Sequence, residues 1–332
     1  MYLFAGVPGL LPVVAGISKL RLFSRIQPRN QQSPISASLS FAAMCALSGE
    51  VLLVSRNKKG LRTLSLQSGV VSPRAPFEMR RVTGMALDTR TDTLLLVQRP
   101  TRPEVKFWWL ASIRRVDWYV VELLSTEFEL SINIQDIVVC ESRVLLGTQN
   151  YSYLRAFDVS AEHKLRPVGD VVVNTKFRHF ACTHVDADTL VAFSHQTSVW
   201  LQHLVGLQLE PIAEIAFSQL SRLLFRGQLL LGIGWNKDRK DNIVSFLVTG
   251  TRLNLQPQML LDFNASVKVG HWCIAGDRLV VQDGASNDLL VYDFDWAYLQ
   301  YREVSSLVWL WLLNFFWITC QDYNLQLFSQ SF

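Results

Sequence analysis

The chain has 332 residues, of which 49% are hydrophobic and 18% charged, with a mean hydropathy of +0.19. Such a chain is too apolar for a disordered or fibrous protein and holds ample material for a large core. Its 32 basic and 28 acidic residues leave a net charge of only +4, far from the strongly basic balance of a dedicated nucleic-acid binder.

In chain order the first feature is an apolar N-terminus, Tyr2–Ile17. No Lys or Arg precedes it, and Pro8 and Pro12 interrupt it, which argues against a secretory signal. Seven short apolar runs of β-type composition follow: VLLVS from Val51, LLLVQ from Leu94, VLLGT from Val144, LVAFS from Leu190, LLLGI from Leu229, LVVQ from Leu279 and FFWIT from Phe315. Successive starts lie 36 to 50 residues apart, about 44 on average, which is the period of a four-stranded propeller blade. A strand a precedes each run across a tight turn carrying Gly or Asp, such as Ser48-Gly49-Glu50 and Gly276-Asp277, so strands a and b form hairpins. A strand c follows each run after a loop: LRTLSL, DWYVVEL, YLRAFDV, SVWLQHL, IVSFLV, LLVYDF and YNLQLF. Most repeats then offer a more polar fourth strand.

This pattern predicts an all-β fold, a single seven-bladed β-propeller of four-stranded blades over residues 39–332. Residues 1–38 are then an N-terminal segment holding a closing strand and a linker. The seventh repeat reaches Phe332 just after its strand c, and Leu11–Leu22 is expected to supply the missing outer strand. Closing the ring in this way removes an open sheet edge. The apolar run Leu307–Cys320 is shorter than the roughly 20 residues a membrane-spanning helix needs, and it contains Asn314. Leu307–Leu313 carries a helical alternative to the strand reading. Five cysteines without a CxxC pair indicate buried reduced thiols, an intracellular setting and no zinc knuckle.

The sixth repeat resembles the WD-repeat class of propellers: Gly270-His271 opens it, Asp283-Gly284 sits in the b–c turn, and Tyr292-Asp293 stands where Trp-Asp would. Phe157-Asp158 echoes the same motif in the third repeat. In that family the His and Asp belong to a structural hydrogen-bond network, so the resemblance implies scaffold roles for these residues. The phrases LRTLSLQSG (61–69), VTGMALDTRTDTLLLVQ (82–98) and LLVYDFD (289–295) are similar to the propeller-like region of fungal F-box proteins. That likeness implies the substrate-recruiting part of a ubiquitin-ligase receptor. Residues 1–38 lack the helical leucine pattern of an F-box itself.

No GxSxG elbow, HExxH, Walker loop or EF-hand string is present, and no cofactor is indicated. Gly232-Ile-Gly234 lacks the third glycine of a dinucleotide loop and reads as relief of crowding in a strand. His179, Cys182, His184 and Asp186, with His195 on the next strand, form the one dense set of candidate metal ligands, and a metal-dependent propeller hydrolase or lactonase is the rival function. The bland alternative packs Cys182 between blades and leaves Asp186 to the turn.

Sorted by side, the b–c and d–a loops gather Arg56, Lys58, Lys59, Arg80, Arg81, Arg99, Arg102, Lys106, Lys176, Arg178, Lys237, Arg239 and Lys240, with Trp235 nearby. Phe107, Trp108 and Trp109 lie in a long stretch, Arg99–Arg115, that reads as a loop, either an exposed hydrophobic anchor or a segment folded back over the blade's outer edge. The a–b turns carry Glu50, Asp88, Asp92, Glu141, Asp186, Asp188 and Asp277, partly opposed by Arg90, Arg143, Arg226 and Arg278. One side is therefore basic and the other mixed to acidic. The expected function is a non-enzymatic interaction scaffold, a monomeric subunit of a larger complex, gripping an acidic or phosphorylated protein segment on the basic side. A nucleic-acid backbone is the second choice, because the mild net charge provides little counterion release.

Overall fold

A computed structural model of the chain describes residues 15–27, 41–47, 49–55, 61–75, 82–98, 107–127, 134–140, 143–148, 152–185, 188–216, 220–227, 229–235, 241–249, 252–253, 258–262 and 269–298. The chain divides into one unit of residues 1–17 and 296–332 and another of residues 18–295. Of the first unit, residues 15–17 and 296–298 are the ends of two strands. The second unit holds the body of the fold.

β1 (Ala15–Ile26) opens the described chain. Sheet I contains β2 (Phe41–Leu47), β3 (Glu50–Ser55), β4 (Leu61–Ser65) and β5 (Val71–Ala75). Sheet II contains β6 (Val82–Asp88), β7 (Thr93–Gln98), β8 (Phe107–Arg114) and β9 (Tyr119–Glu127). Sheet III contains β10 (Ile134–Cys140), β11 (Arg143–Thr148), β12 (Tyr153–Val159) and β13 (Leu165–Val172). Sheet IV contains β14 (His179–Val185), β15 (Asp188–Ser194), β16 (Ser198–Val205) and β17 (Gln208–Ala216). In sheet V, β18 (Leu220–Arg226), β19 (Leu229–Trp235) and β20 (Asp241–Thr249) run in order, and β20 also pairs β21 (Arg252–Leu253) and β22 (Gln258–Asp262). Sheet VI contains β23 (Val269–Ala275), β24 (Arg278–Asp283) and β25 (Leu289–Tyr298), and β1 lies on the far side of β25. Consecutive strands within each sheet pair antiparallel, as in four-stranded propeller blades.

The second strand of each sheet reads as an unbroken apolar run because both of its faces are covered. Leu52 and Val54 of β3 pack toward sheet II, while Val51 and Leu53 pack toward sheet VI. In β7, Leu94 and Leu96 join the core shared with sheet I, and Leu95 and Val97 join the core shared with sheet III. In β15, Val191 and Phe193 meet sheet III, and Leu190 and Ala192 meet sheet V. Alternate residues thus feed alternate interfaces, and the period-2 signal vanishes where both sides are buried. Each such side chain contributes about 1.5–3 kcal/mol on leaving water, an upper figure given a partly compact unfolded chain. Where c pairs with d, sheets I to V each shift register by one residue, for example between Leu61 and Arg62 and between Ala156 and Phe157. Such bulges twist the outermost strand and blunt its exposed edge.

Three expectations change. The described residues form five four-stranded sheets and one five-stranded sheet rather than seven blades. Sheets I and VI share a core directly, where the seventh blade was expected to stand. The FFWIT and YNLQLF runs of the seventh repeat lie outside the described residues.

The N-terminal strand, predicted over Leu11–Leu22 as the outer strand of a seventh blade, is Ala15–Ile26 and completes sheet VI instead. Leu20 is buried, Ile26 packs on the core of sheets I and VI, and Arg25 Nε donates to Asp288 Oδ2 at 2.6 Å. Together these contacts fix the strand on the open edge of β25.

The stretch expected as a loop from Arg99 to Arg115 contains β8, so the third strand of sheet II is Phe107–Arg114, and the sequence assigned to that place, DWYVVEL, enters the fourth strand β9. Leu110 packs toward sheet III, and Ala111 and Ile113 pack toward sheet I, so both faces of β8 contribute to the core. Trp118, at φ 59, reverses the chain after it.

Candidate interaction face

The a–b and c–d turns are occupied in joining one sheet to the next. Arg90 Nη2 of sheet II donates to the Val159 carbonyl of sheet III at 2.7 Å. The Arg143 guanidinium of sheet III donates to the Gly206 carbonyl of sheet IV, and Thr183 Oγ1 of sheet IV donates to the Gly227 carbonyl of sheet V at 3.2 Å. Arg226 of sheet V donates to the Asp277 carboxylate of sheet VI and lies 4.4 Å from the Phe294 ring centroid. Burial lowers the Arg226 guanidinium from its ordinary range, and Asp277 opposes that shift. Arg278 Nη1 of sheet VI donates to the Leu66 carbonyl of sheet I at 3.0 Å while its Nε donates to Asp293. The arginines that sequence set against the acidic turns are therefore structural staples.

The opposite side is described best around sheets III and IV. The connection from β13 to β14 is anchored by Phe177, which is buried with its ring centroid 5.9 Å from that of Phe180 and 5.1 Å from that of Phe193. The Arg178 amide donates to the Ser194 carbonyl at 2.8 Å, and the His179 amide donates to Ser194 Oγ at 3.1 Å. Phe177 is turned inward, and neither of its neighbours is buried. Lys176 is exposed and Arg178 partly exposed, and neither side chain forms an ion pair or hydrogen bond among the described residues. Asn174 and Thr175, just before them, are also exposed.

His179 Nδ1 lies 2.9 Å from Asp136 Oδ2, joining the first strands of sheets III and IV. An ionised carboxylate only accepts, so this contact places a proton on Nδ1. His195 stacks on Trp200 at 5.2 Å between ring centroids and 10° between planes. Glu214 stands across the β16–β17 ladder from Trp200. The polar edge of Trp200 and the Ser198 hydroxyl, then the charge of His195, hold its carboxyl below the usual range; Trp200 Nε1 itself stays outside hydrogen-bond geometry.

Of the residues predicted from sequence, the structure brings Lys176 and Arg178 together on one anchored connection. Trp108 and Trp109 fall in β8 and Trp235 at the end of β19, with Trp109 only partly exposed, so the two tryptophans of β8 do not form a loop anchor. Arg56, Lys58, Lys59, Arg80, Arg81, Arg99, Arg102, Lys106, Lys237, Arg239 and Lys240 lie outside the described residues, as does Asp186.

The metal set disperses. Cys182 is buried in the core of sheets III and IV, and His184 is exposed toward the opposite end of β14 from His179, roughly 16 Å along the strand at 3.3 Å per residue. No group of three ligating side chains is placed to hold a metal among the described residues. Asp136, Trp200 and Glu214 were missed, because their proximity arises only when separate strands meet. The sixth-repeat motif is structural: Asp283 is buried and accepts from the Ala285 amide at 2.9 Å and Ser286 Oγ at 2.7 Å, holding the b–c turn.

No protein-family model matches the chain, and no characterised protein matches it in sequence. Among solved structures, hydrazine synthase of Kuenenia stuttgartiensis is similar at TM-score 0.53 and 8% identity, covering 80% of each chain. Hsv2 of Kluyveromyces lactis aligns at TM-score 0.47 and 11% identity, covering 74% of this chain and 71% of that one. At such identities the likeness concerns fold alone, and with the sheet topology it defines the class: the chain is an all-β propeller with four-stranded blades. That fold fits a protein-interaction scaffold in general. No helix among the described residues is long and apolar enough to cross a membrane.

Proposed function

We propose that the chain is a non-enzymatic interaction scaffold inside the cell that binds an acidic or phosphorylated protein segment on its b–c and d–a loop side. The supporting observation is the contrast between the two sides. The arginines named on the turn side span adjacent sheets, whereas Lys176 and Arg178 stand on an anchored connection with no described partner. Because the backbone of the connection is already anchored, only side-chain freedom is lost on meeting an anion, against the gain of charge-assisted contacts. The likeness of residues 61–69, 82–98 and 289–295 to fungal F-box propellers supports substrate recruitment for a ubiquitin ligase as the setting.

The test compares the intact chain with the Lys176→Glu/Arg178→Glu variant in anisotropy titrations against fluorescent acidic and phosphorylated peptides. At least tenfold weaker binding by the variant, with an unchanged thermal midpoint, is expected. Equal binding by both proteins overturns the reading. Recovery of cullin-ligase subunits with the intact chain from cell extract tests the setting.

A further inference from the structure

We propose that the connection bearing Lys176 and Arg178 seats a single phosphoryl group of a partner protein, and that Asp136 and Glu214 restrict it to that one dianion. This rests on the scaffold reading and narrows its ligand.

The size of the seat comes first. Two residues of chain span at most about 7 Å, so Lys176 and Arg178 are near enough for one phosphoryl group to meet both side chains. Thr175 and Asn174 add an exposed hydroxyl and amide beside the cations, and the b–c turn of sheet IV adds exposed Gln196 and Thr197. The seat is rigid, because Phe177 is locked among Phe180 and Phe193 and the Arg178 amide is bonded to Ser194. Arginine and lysine together supply several donors, and a phosphoryl group offers three acceptor oxygens and nearly two charges.

The borders decide the class of anion. Asp136 lies 2.9 Å from His179, the residue after Arg178, and Glu214 stands across the ladder from Trp200, on which His195 stacks next to Ser194, the acceptor of the Arg178 amide. The Glu214 carboxyl, held below the usual range by the Trp200 edge and the Ser198 hydroxyl, presents negative charge on this side. A run of Asp and Glu, or a nucleic-acid backbone, would lay further negative charge against these borders and be repelled. One phosphate on an otherwise neutral or basic segment meets only the two cations. Further like charge brought near these carboxylates is repelled, and nothing more attracts it once the two cations are occupied.

The experiment uses the intact chain and four fluorescent probes: a Gly/Ser/Lys peptide with one phosphothreonine, its unphosphorylated form, hexaglutamate, and a 12-nucleotide single strand of DNA. The phosphopeptide is expected to bind at least tenfold more tightly than each of the others, and Lys176→Glu/Arg178→Glu to remove that preference. The Asp136→Asn/Glu214→Gln variant is expected to retain the phosphopeptide and to gain at least threefold for hexaglutamate and DNA. If hexaglutamate binds the wild type as well as the phosphopeptide, through Lys176 and Arg178, the single-phosphoryl seat is overturned and the scaffold reading stands. If the phosphopeptide binds but the border variant leaves selectivity unchanged, the role of Asp136 and Glu214 is overturned. If no probe distinguishes the wild type from the Lys176→Glu/Arg178→Glu variant, both readings fall.

Discussion

His163 Nδ1 lies 2.7 Å from Thr93 Oγ1, so a residue in the c–d turn of sheet III is tied to the first residue of the second strand of sheet II. Thr93 Oγ1 is also 2.7 Å from Thr91 Oγ1, whose proton goes to the buried Asp88 Oδ2 at 2.7 Å. A hydroxyl has one proton, so the order is forced. Asp88 accepts from Thr91, Thr91 accepts from Thr93, and Thr93 accepts from His163, which must carry its proton on Nδ1. The chain of bonds ends at a carboxylate, which polarises every link in one direction. His163 holds φ 63 to make the contact, a backbone conformation that non-glycine residues adopt at some cost.

Breaking that chain in its middle orphans groups on both sides. Thr93→Val is expected to destabilise the protein by about 1–2 kcal/mol, because the Thr91 acceptor and the His163 donor lose partners in a partly buried place. His163→Gly relieves the left-handed backbone while removing the bond, so it is expected to cost less than Thr93→Val. Urea unfolding of both variants and of the pair decides this. Fully additive effects would show that the two side chains are not coupled.

Gly147, in the second strand of sheet III, reports on the packing beneath the proposed seat. A Cβ there would stand 2.2 Å from Phe180 Cε1 and 2.6 Å from Cδ1, and Phe180 is buried against Phe177 and Phe193. Gly147→Ala therefore forces a ring to move within a filled core, at about 1–3 kcal/mol. Because Phe177 anchors Lys176 and Arg178, the same substitution is expected to weaken phosphopeptide binding. Adding Phe180→Leu makes room and is expected to recover part of the stability. A Gly147→Ala thermal midpoint equal to the wild type would refute the close packing.

Much of this architecture is legible in the sequence, for a physical reason. Second strands buried on both faces must be apolar throughout, so runs such as Leu94–Val97 and Val144–Leu146 stand out, and the first strands found by their tight turns follow from them. The third strand of sheet II was displaced because Tyr119–Glu127 alternates well enough to pass for a third strand, which left the aromatics before it to the loop. The partner of β1 was misassigned because edge pairing depends on which strand offers a free edge, which no local pattern encodes. At the candidate face, Lys176 and Arg178 were visible as charges, but Asp136 is 43 positions from His179 and gives no sign of the pairing until two sheets pack.

Arg278 binds three elements at once, and its replacement separates charge from geometry. Its Nε donates to Asp293 at 3.0 Å, its Nη1 donates to the Leu66 carbonyl of sheet I at 3.0 Å, and its guanidinium carbon lies 3.7 Å from the centroid of the Phe23 ring on β1. Lysine keeps the charge but lacks the planar fork that makes these contacts together. Arg278→Lys is expected to lose about 1–2 kcal/mol, nearly as much as Arg278→Ala. Denaturant titration checks this, and a lysine variant as stable as the wild type would show that charge alone suffices.

Alkaline stability follows from the buried thiols and Tyr292. Burial pushes the Cys273 thiol up to about 12 from 9.0, and burial, then the charge of Cys273, raises Cys45 well above 9.0. Burial also pushes the Tyr292 phenol up to about 12 from 10.0, with Arg25 opposing and Asp283 adding to the shift. Each group is neutral when protonated, and each holds its proton more tightly in the folded chain than in the unfolded one. Below about pH 9 both states keep these protons and the full contribution to stability is present. As pH rises from about 9 toward 12 the unfolded chain loses the protons first, and stability declines through that window. The urea midpoint is therefore expected to stay level between about pH 7 and 8.5 and to fall above 9. Cys45→Ala/Cys273→Ala starts from a lower midpoint, because it empties core volume, yet is expected to decline less steeply between about pH 9 and 10, where the unfolded thiols titrate ahead of the Tyr292 phenol. An equal slope in the variant and the wild type would assign the alkaline loss to other groups.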